Sequence, residues 1–244
     1  MSADIETRIF GSESNGGIGM EVDKTFLAGR IALKPTEYAG SGVVLGHYSV
    51  AQLSGAIAAT PTALDAHASI RWASSERYLV LKRIKVCWGV ISAITAGVRM
   101  AYQASIVRGF TVDFTTASTA ANMGTPSKTN AMRNSMNSSL MATAGPRICT
   151  TTVMSGHTYT LDANPFAITT WPMLTATNST GTAVALPVGA GGNMQTLYEC
   201  TANGEHPVVL SQNEGVVLQI THTGHASGTI SLATMWQWAE VLVW

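Results

Sequence analysis

Charge is what this sequence most lacks. Asp, Glu, Lys and Arg make up 11% of its 244 residues, against roughly 25% in an ordinary globular chain. Its 14 basic and 14 acidic residues cancel and stand singly along the chain. There is therefore no basic footprint for nucleic acid, and no direct nucleic-acid partner is expected. Cysteine is equally sparse. Cys87, Cys149 and Cys200 are odd in number, far apart, and without C-x-x-C spacing. They read as small buried hydrophobes of a reduced compartment, with one disulfide left open. No apolar run approaches the ~20 residues that span a bilayer, so no membrane partner is expected. The opening "MSADIETRIFGSESNGGIGMEVDKTF" has neither the basic start nor the apolar core of a signal peptide, so synthesis in the cytoplasm without export by that route is expected.

In place of charge stand Ala, Thr, Ser and 23 Gly, within a chain that is 46% hydrophobic. A surface so poor in charge points to partial cover by neighbouring subunits. The length suits one large all-β domain with a substantial core.

Residues 1–40 show no helical or strand period, and Ser12 to Gly19 is rich in turn formers. This segment reads as an N-terminal arm, followed by a single β-sandwich domain over 41–244. In "YLVLKRIKVCWGVIS", Ile84, Val86, Trp88 and Val90 alternate with Arg83, Lys85 and Cys87, giving a strand with one apolar face. "VRMAYQASIVRGFTVDF" places Met100, Tyr102, Ala104 and Ile106 on one side, and the two segments are expected as antiparallel neighbours joined near "AITAG". In "GTISLATMWQWAEVLVW", Ile230, Leu232, Trp236 and Trp238 share a face, so a long core strand is expected there. Many short strands, no helical period and no βαβ rhythm together predict an antiparallel sandwich of jelly-roll type.

Between Thr115 and Gly145 the strand pattern disappears into a long tract of small polar residues and methionines. A loop of that length in a compact domain is either a floppy excursion or a binding segment. On the second reading the arm and loop reach across to neighbouring subunits, with Phe10, Met20, Phe26, Met123, Met132, Arg133, Met136 and Met141 as interface residues.

The densest set of polar side chains is "GEHPVVLSQNEGVVLQITHTG". It reads as a β-hairpin whose turn is Asn213, Glu214 and Gly215, with Gly215 taking a positive φ. His222 and His225 have H-x-x-H spacing, but that spacing brings two ligands together on a helix and not across a strand end. No metal site is expected, nor one at His206. The acids Asp162, Glu199, Glu205, Glu214 and Glu240 are the candidates for carboxylate catalysis, each more simply a turn former or a strand-edge acid. Arg71 and Arg147 are expected to hold strand ends through carbonyls or through Asp162 or Glu240. No nucleophile elbow, zinc helix, P-loop or complete dinucleotide fingerprint occurs, so no catalytic residue and no cofactor is expected. The sequons at Asn137 and Asn178 read as chance matches in Ser/Thr-rich text.

The order of "GHYSVAQLSGAIAA", "ASIRWASSERYLVLKRIKV", "RNSMNSSL", "PRICTTT", "TYTLDANP", "GEHPVVLSQNEGVVLQIT" and "WAEV" resembles that of virion structural proteins of tailed bacteriophages, from about Gly46 to Val241. The resemblance implies a β-rich, non-enzymatic protein that decorates and stabilises a capsid exterior as a cement protein. Its partners would be the major capsid protein and further copies of itself, as a homotrimer or homodimer. The alternatives are a tail, collar or fibre component and, from another class, a carbohydrate-binding module.

Overall fold

The computed structural model describes residues 20–23, 28–31, 44–58, 61–92, 101–121, 123, 138–141, 145–170, 194–200, 206–221 and 227–242. The chain divides into two compact units, Met1–Val44 and Leu45–Trp244. In the first, strands β1 (Met20–Asp23) and β2 (Ala28–Ile31) pair antiparallel, with Met20 opposite Ile31. The segment read from sequence as a patternless arm thus contains a short ribbon, whose four-residue strands are too brief to show a period.

The second unit is all β. Its strands are β3 (Val44–Leu53), β4 (Ala66–Trp72), β5 (Tyr78–Ser92), β6 (Ala101–Val112), β7 (Ser118–Ala120), β8 (Pro146–Cys149), β9 (Thr158–Leu161), β10 (Ala167–Thr170), β11 (Gln195–Glu199), β12 (Val208–Leu210), β13 (Glu214–Ile220) and β14 (Thr229–Val241). They form two antiparallel sheets. One runs β10-β6-β13-β4-β8-β7 with β9 also on β6, and the other runs β11-β5-β14-β3 with β12 also on β5.

The pairing is nested. The first strand of the sandwich lies beside the last, β3 on β14; the next pair inward is β4 on β13, then β5 on β12, then β6 on β10 and β9. One long antiparallel hairpin rolled into two layers gives this order, which is the jelly roll. The insertion between β6 and β9 contributes β7 and β8, which extend the sheet beyond β4.

Two strand relationships differ from the sequence reading. β5 and β6 lie in different sheets, so they are not hairpin neighbours. Alternation reveals which face of a strand is apolar but not which strand lies beside it, and two apolar faces are buried as well by stacking as by adjacency. β12 and β13 likewise belong to opposite sheets, so the expected hairpin at Asn213 is an arch that crosses from one layer to the other.

The inward faces make the core. Ile84, Val86 and Trp88 of β5 meet Leu232, Trp236 and Trp238 of β14, and opposite them lie Ile70 and Trp72 of β4 with Val216, Leu218 and Ile220 of β13. Trp72, Trp88, Trp236 and Trp238 are fully buried, and by area each contributes about 4–6 kcal/mol of transfer free energy. Tyr48 of β3 stacks on Trp238 with ring centroids 5.7 Å apart, which fixes the edge strand onto the last one.

Candidate functional site

The polar residues that the sequence singles out collect at one end of the roll, around the β4-to-β5 turn and the β12-to-β13 arch. The turn is closed by the Trp72 indole N–H, which donates to the Arg77 carbonyl at 2.7 Å. The arch is closed by Glu214, whose Oε2 accepts the Ser211 N–H at 2.8 Å. Asn213 N–H donates to the Trp72 carbonyl at 2.8 Å, and Asn213 carbonyl accepts from Phe110 N–H at 2.7 Å, so the arch is sewn to β4 on one side and β6 on the other.

The left-handed residue of the arch is Asn213, with φ 61°, and not Gly215 as the sequence suggested. Asparagine tolerates that conformation better than most side-chain-bearing residues. Gly215 is needed for another reason. A Cβ there would lie 2.5 Å from the Ile70 carbonyl oxygen and 2.7 Å from Cδ1 of Phe110, so the position is one of close approach between strands.

Arginines tie the acids. Arg108 forks onto Asp162, Nε to Oδ1 at 3.0 Å and Nη2 to Oδ2 at 3.1 Å, and its Nη1 reaches Glu214 at 2.5 Å. These contacts, first the hydrogen bonding to Asp162, raise the Arg108 pKa. Arg71 meets Asp113 at 2.8 Å and also donates to the carbonyls of Phe110 and Thr111. Asp113 is 7% exposed. Burial raises its pKa, opposed by the hydrogen bond and charge of Arg71 and then by the charge of Arg147. Arg83 pairs with Glu199 across β5 and β11. Arg147 donates to the Ser118 hydroxyl at 2.8 Å instead of reaching Asp162 or Glu240.

Glu240 is completely buried. It accepts from Arg77 at 2.9 Å, from the Ser139 hydroxyl, from the Leu140 N–H at 3.1 Å, and from the Trp238 indole at 3.3 Å. A buried carboxylate with one guanidinium and several further donors is a structural lock. Its lone pairs are occupied and no open face remains for a substrate.

Of the five acids considered for carboxylate catalysis, Asp162, Glu199, Glu214 and Glu240 are therefore each held by an arginine; Glu205 lies outside the described residues. His206 is exposed just ahead of β12, while His222 and His225 lie outside the described residues. Among the described residues, no group of three or more His, Cys, Asp or Glu side chains could hold a metal.

The expected interface residues separate. Met123 and Met141 are buried in this chain's own core, at 0% and 3% exposure, and pack there instead of facing a neighbour. Met20 opens β1. Phe10, Phe26, Met132, Arg133 and Met136, with Asn137 and Asn178, lie outside the described residues.

Arg77, Arg108 and Asp113 were not foreseen. The signal for the first was Glu240 itself, an acid inside the apolar run "WAEVLVW", since a buried carboxylate requires a cation. Beside the arch, Phe110, Phe114 and Tyr159 pack edge to face. The exposed His157 stacks on Tyr159 with ring centroids 4.2 Å apart and an interplanar angle of 17°. No family model matches the chain, and neither a curated protein nor a solved structure matches it.

Proposed function

We infer that the protein is a non-enzymatic structural component of a bacteriophage particle, a cement protein that binds the capsid exterior and stabilises the shell through buried interface. The observation that carries this reading is the joint use of the fold and its charges. A jelly roll, an architecture shared by viral capsid and lectin domains, spends its carboxylates on arginine pairs that knit distant strands together. Apolar side chains also stand at the surface: Leu64 and Ile168 are each more than half exposed. Protein partners match such a surface better than ionic ligands do.

The test is the copy number of this chain in purified particles, by quantitative mass spectrometry against the major capsid protein, joined to co-sedimentation of the purified protein with empty shells. Stoichiometry comparable to the capsid protein, with saturable binding to shells, is the expected result. A small fixed number per particle would favour a tail, collar or fibre component, and absence from particles would overturn the reading.

A second reading, a carbohydrate-binding module, draws on the exposed ring of His157 stacked over Tyr159. It predicts that the isolated protein retains a glycan in solution and that His157→Ala abolishes that retention. Trp236 and Trp238 are buried and cannot serve as a sugar-stacking platform.

A further inference from the structure

The outward face of the five-stranded sheet carries small and apolar side chains in register. Along β5 the outward positions are Lys85, Cys87, Gly89 and Ile91, and across β14 they register with Met235 opposite Lys85, Ala233 opposite Cys87, and Ser231 opposite Gly89. The next strand, β3, ends this face with Leu53, which is 69% exposed, and Ile91 at the far corner is 55% exposed. The Ser54 N–H bonds to the Leu232 carbonyl at 2.8 Å, which sets Leu53 alongside this row. At the middle of the sheet the face is low: among the described residues, a Cβ built on Gly89 would meet only the Ser231 hydroxyl, at 3.5 Å.

We propose that this face is the contact between two copies of the chain, stacked sheet on sheet about a two-fold axis that runs across the strands at the Cys87–Ala233 row. This inference goes beyond shell binding and does not depend on it. The rows themselves specify the second copy. A two-fold axis in that position reverses the strand direction, so the row one step to one side in one copy lies over the row one step to the other side in its partner. Lys85 and Met235, the two long side chains of these rows, then lie over Gly89 and Ser231, two small ones. Large meets small in both directions, as interdigitated layers require. An isologous contact needs this self-complementarity, and an unrelated partner would have no reason to match it.

Size and charge agree. Ten residues each of β5, β14 and β3 and the five of β11, at ~3.3 Å per residue and ~4.8 Å between strands, cover roughly 550 Å², or roughly 1,100 Å² over two copies, the low end of a specific interface. The chain's net charge is zero, so two copies meet without net repulsion. Arg83 is neutralised by Glu199 at the edge of the patch. The two Lys85 ammonium groups, each one row from the axis on opposite sides, stay more than about a Debye length apart.

Sedimentation velocity of the full chain over a wide concentration range tests this. A reversible dimer is expected, and Ser231→Arg, which fills the small row with a charge, should weaken it by about tenfold or more while the far-UV spectrum and melting temperature stay those of a folded protein. Because a variant can fail to fold, a thiol-specific cross-linker on the wild-type protein gives an independent result. Cys87 linked to Cys87 of a second copy is expected. A wild-type chain that stays monomeric, a Ser231→Arg dimer of unchanged affinity, or a dimer whose cross-links omit the Cys87 pair would each overturn the proposal.

Discussion

Arg77 and Glu240, separated by 163 residues of sequence, form an ion pair at 2.9 Å in which the carboxylate has no exposure at all. The pair joins the start of β5 to the end of β14 and, through the Leu140 N–H, brings in the segment 138–141. Removing one partner leaves a buried charge uncompensated. Glu240→Ala should cost about 3–5 kcal/mol of unfolding free energy, and Glu240→Gln, which keeps shape and acceptor, distinctly less. Urea or guanidinium titration of the two variants measures both, and equal costs would show that charge is not what the pair contributes.

Close approach at Gly215 makes a prediction that separates packing from backbone conformation. Gly215→Ala and Gly215→Val should both destabilise, because even the first Cβ collides with the Ile70 carbonyl and Phe110. Gly215→Asn should do no better than Ala. Asn213→Gly should be nearly neutral, since it is Asn213 that occupies the left-handed region. Thermal melts of the four variants suffice, and tolerance of Gly215→Asn would return the positive φ to that position.

Asp113 gives a pH dependence of unusual sign. Its pKa is raised in the fold, chiefly by burial, so the folded state binds its proton more tightly than the unfolded chain does. Above both pKa values the group opposes folding, and its contribution improves as pH falls through the folded pKa toward the ordinary 3.8. The stability of the wild type relative to Asp113→Asn should therefore rise on acidification over that window. A relative stability that falls instead would mean that Arg71 outweighs burial.

The thiols should differ in reactivity. Cys149 is fully buried, and burial pushes its pKa up to about 12, so it should be alkylated only on unfolding. Cys200, half-buried, should label first in the native protein, joined by Cys87 at concentrations low enough to dissociate the dimer. Mass spectrometry of a short iodoacetamide pulse reads this directly.

Some of this fold is legible in the sequence. The alternation in β5 and β14 names their buried faces correctly, down to Ile84, Val86 and Trp88 against Leu232, Trp236 and Trp238. An antiparallel sandwich also follows from many short strands without helical period, whereas the jelly-roll order is read from the strand pairing. Neighbour relationships are not legible, because a period of two fixes a face and leaves the adjacent strand free, so β5 and β6 were placed together when they lie in opposite layers. The same limit hid the arch. "VVLSQNEGVVL" reads equally well as a tight turn within one sheet or as a crossing between two, since both need an apolar run on each side of a left-handed residue. The arginine pairs were invisible for a related reason: Arg108 meets Glu214 across 106 residues, and one sequence carries no record of that distance.

The nested pairing of β3 with β14 has a consequence for biosynthesis. β14 lies between β5 and β3 in its sheet, so the central strand of that layer is the last of the fourteen to leave the ribosome. Until then β3 and β5 have no shared neighbour, and the apolar faces of both remain uncovered. Closure waits on contacts spanning nearly the whole sandwich, the slowest kind to form. The sandwich therefore closes only once β14 has emerged, and it is during that interval that a chaperone would find its apolar strands exposed.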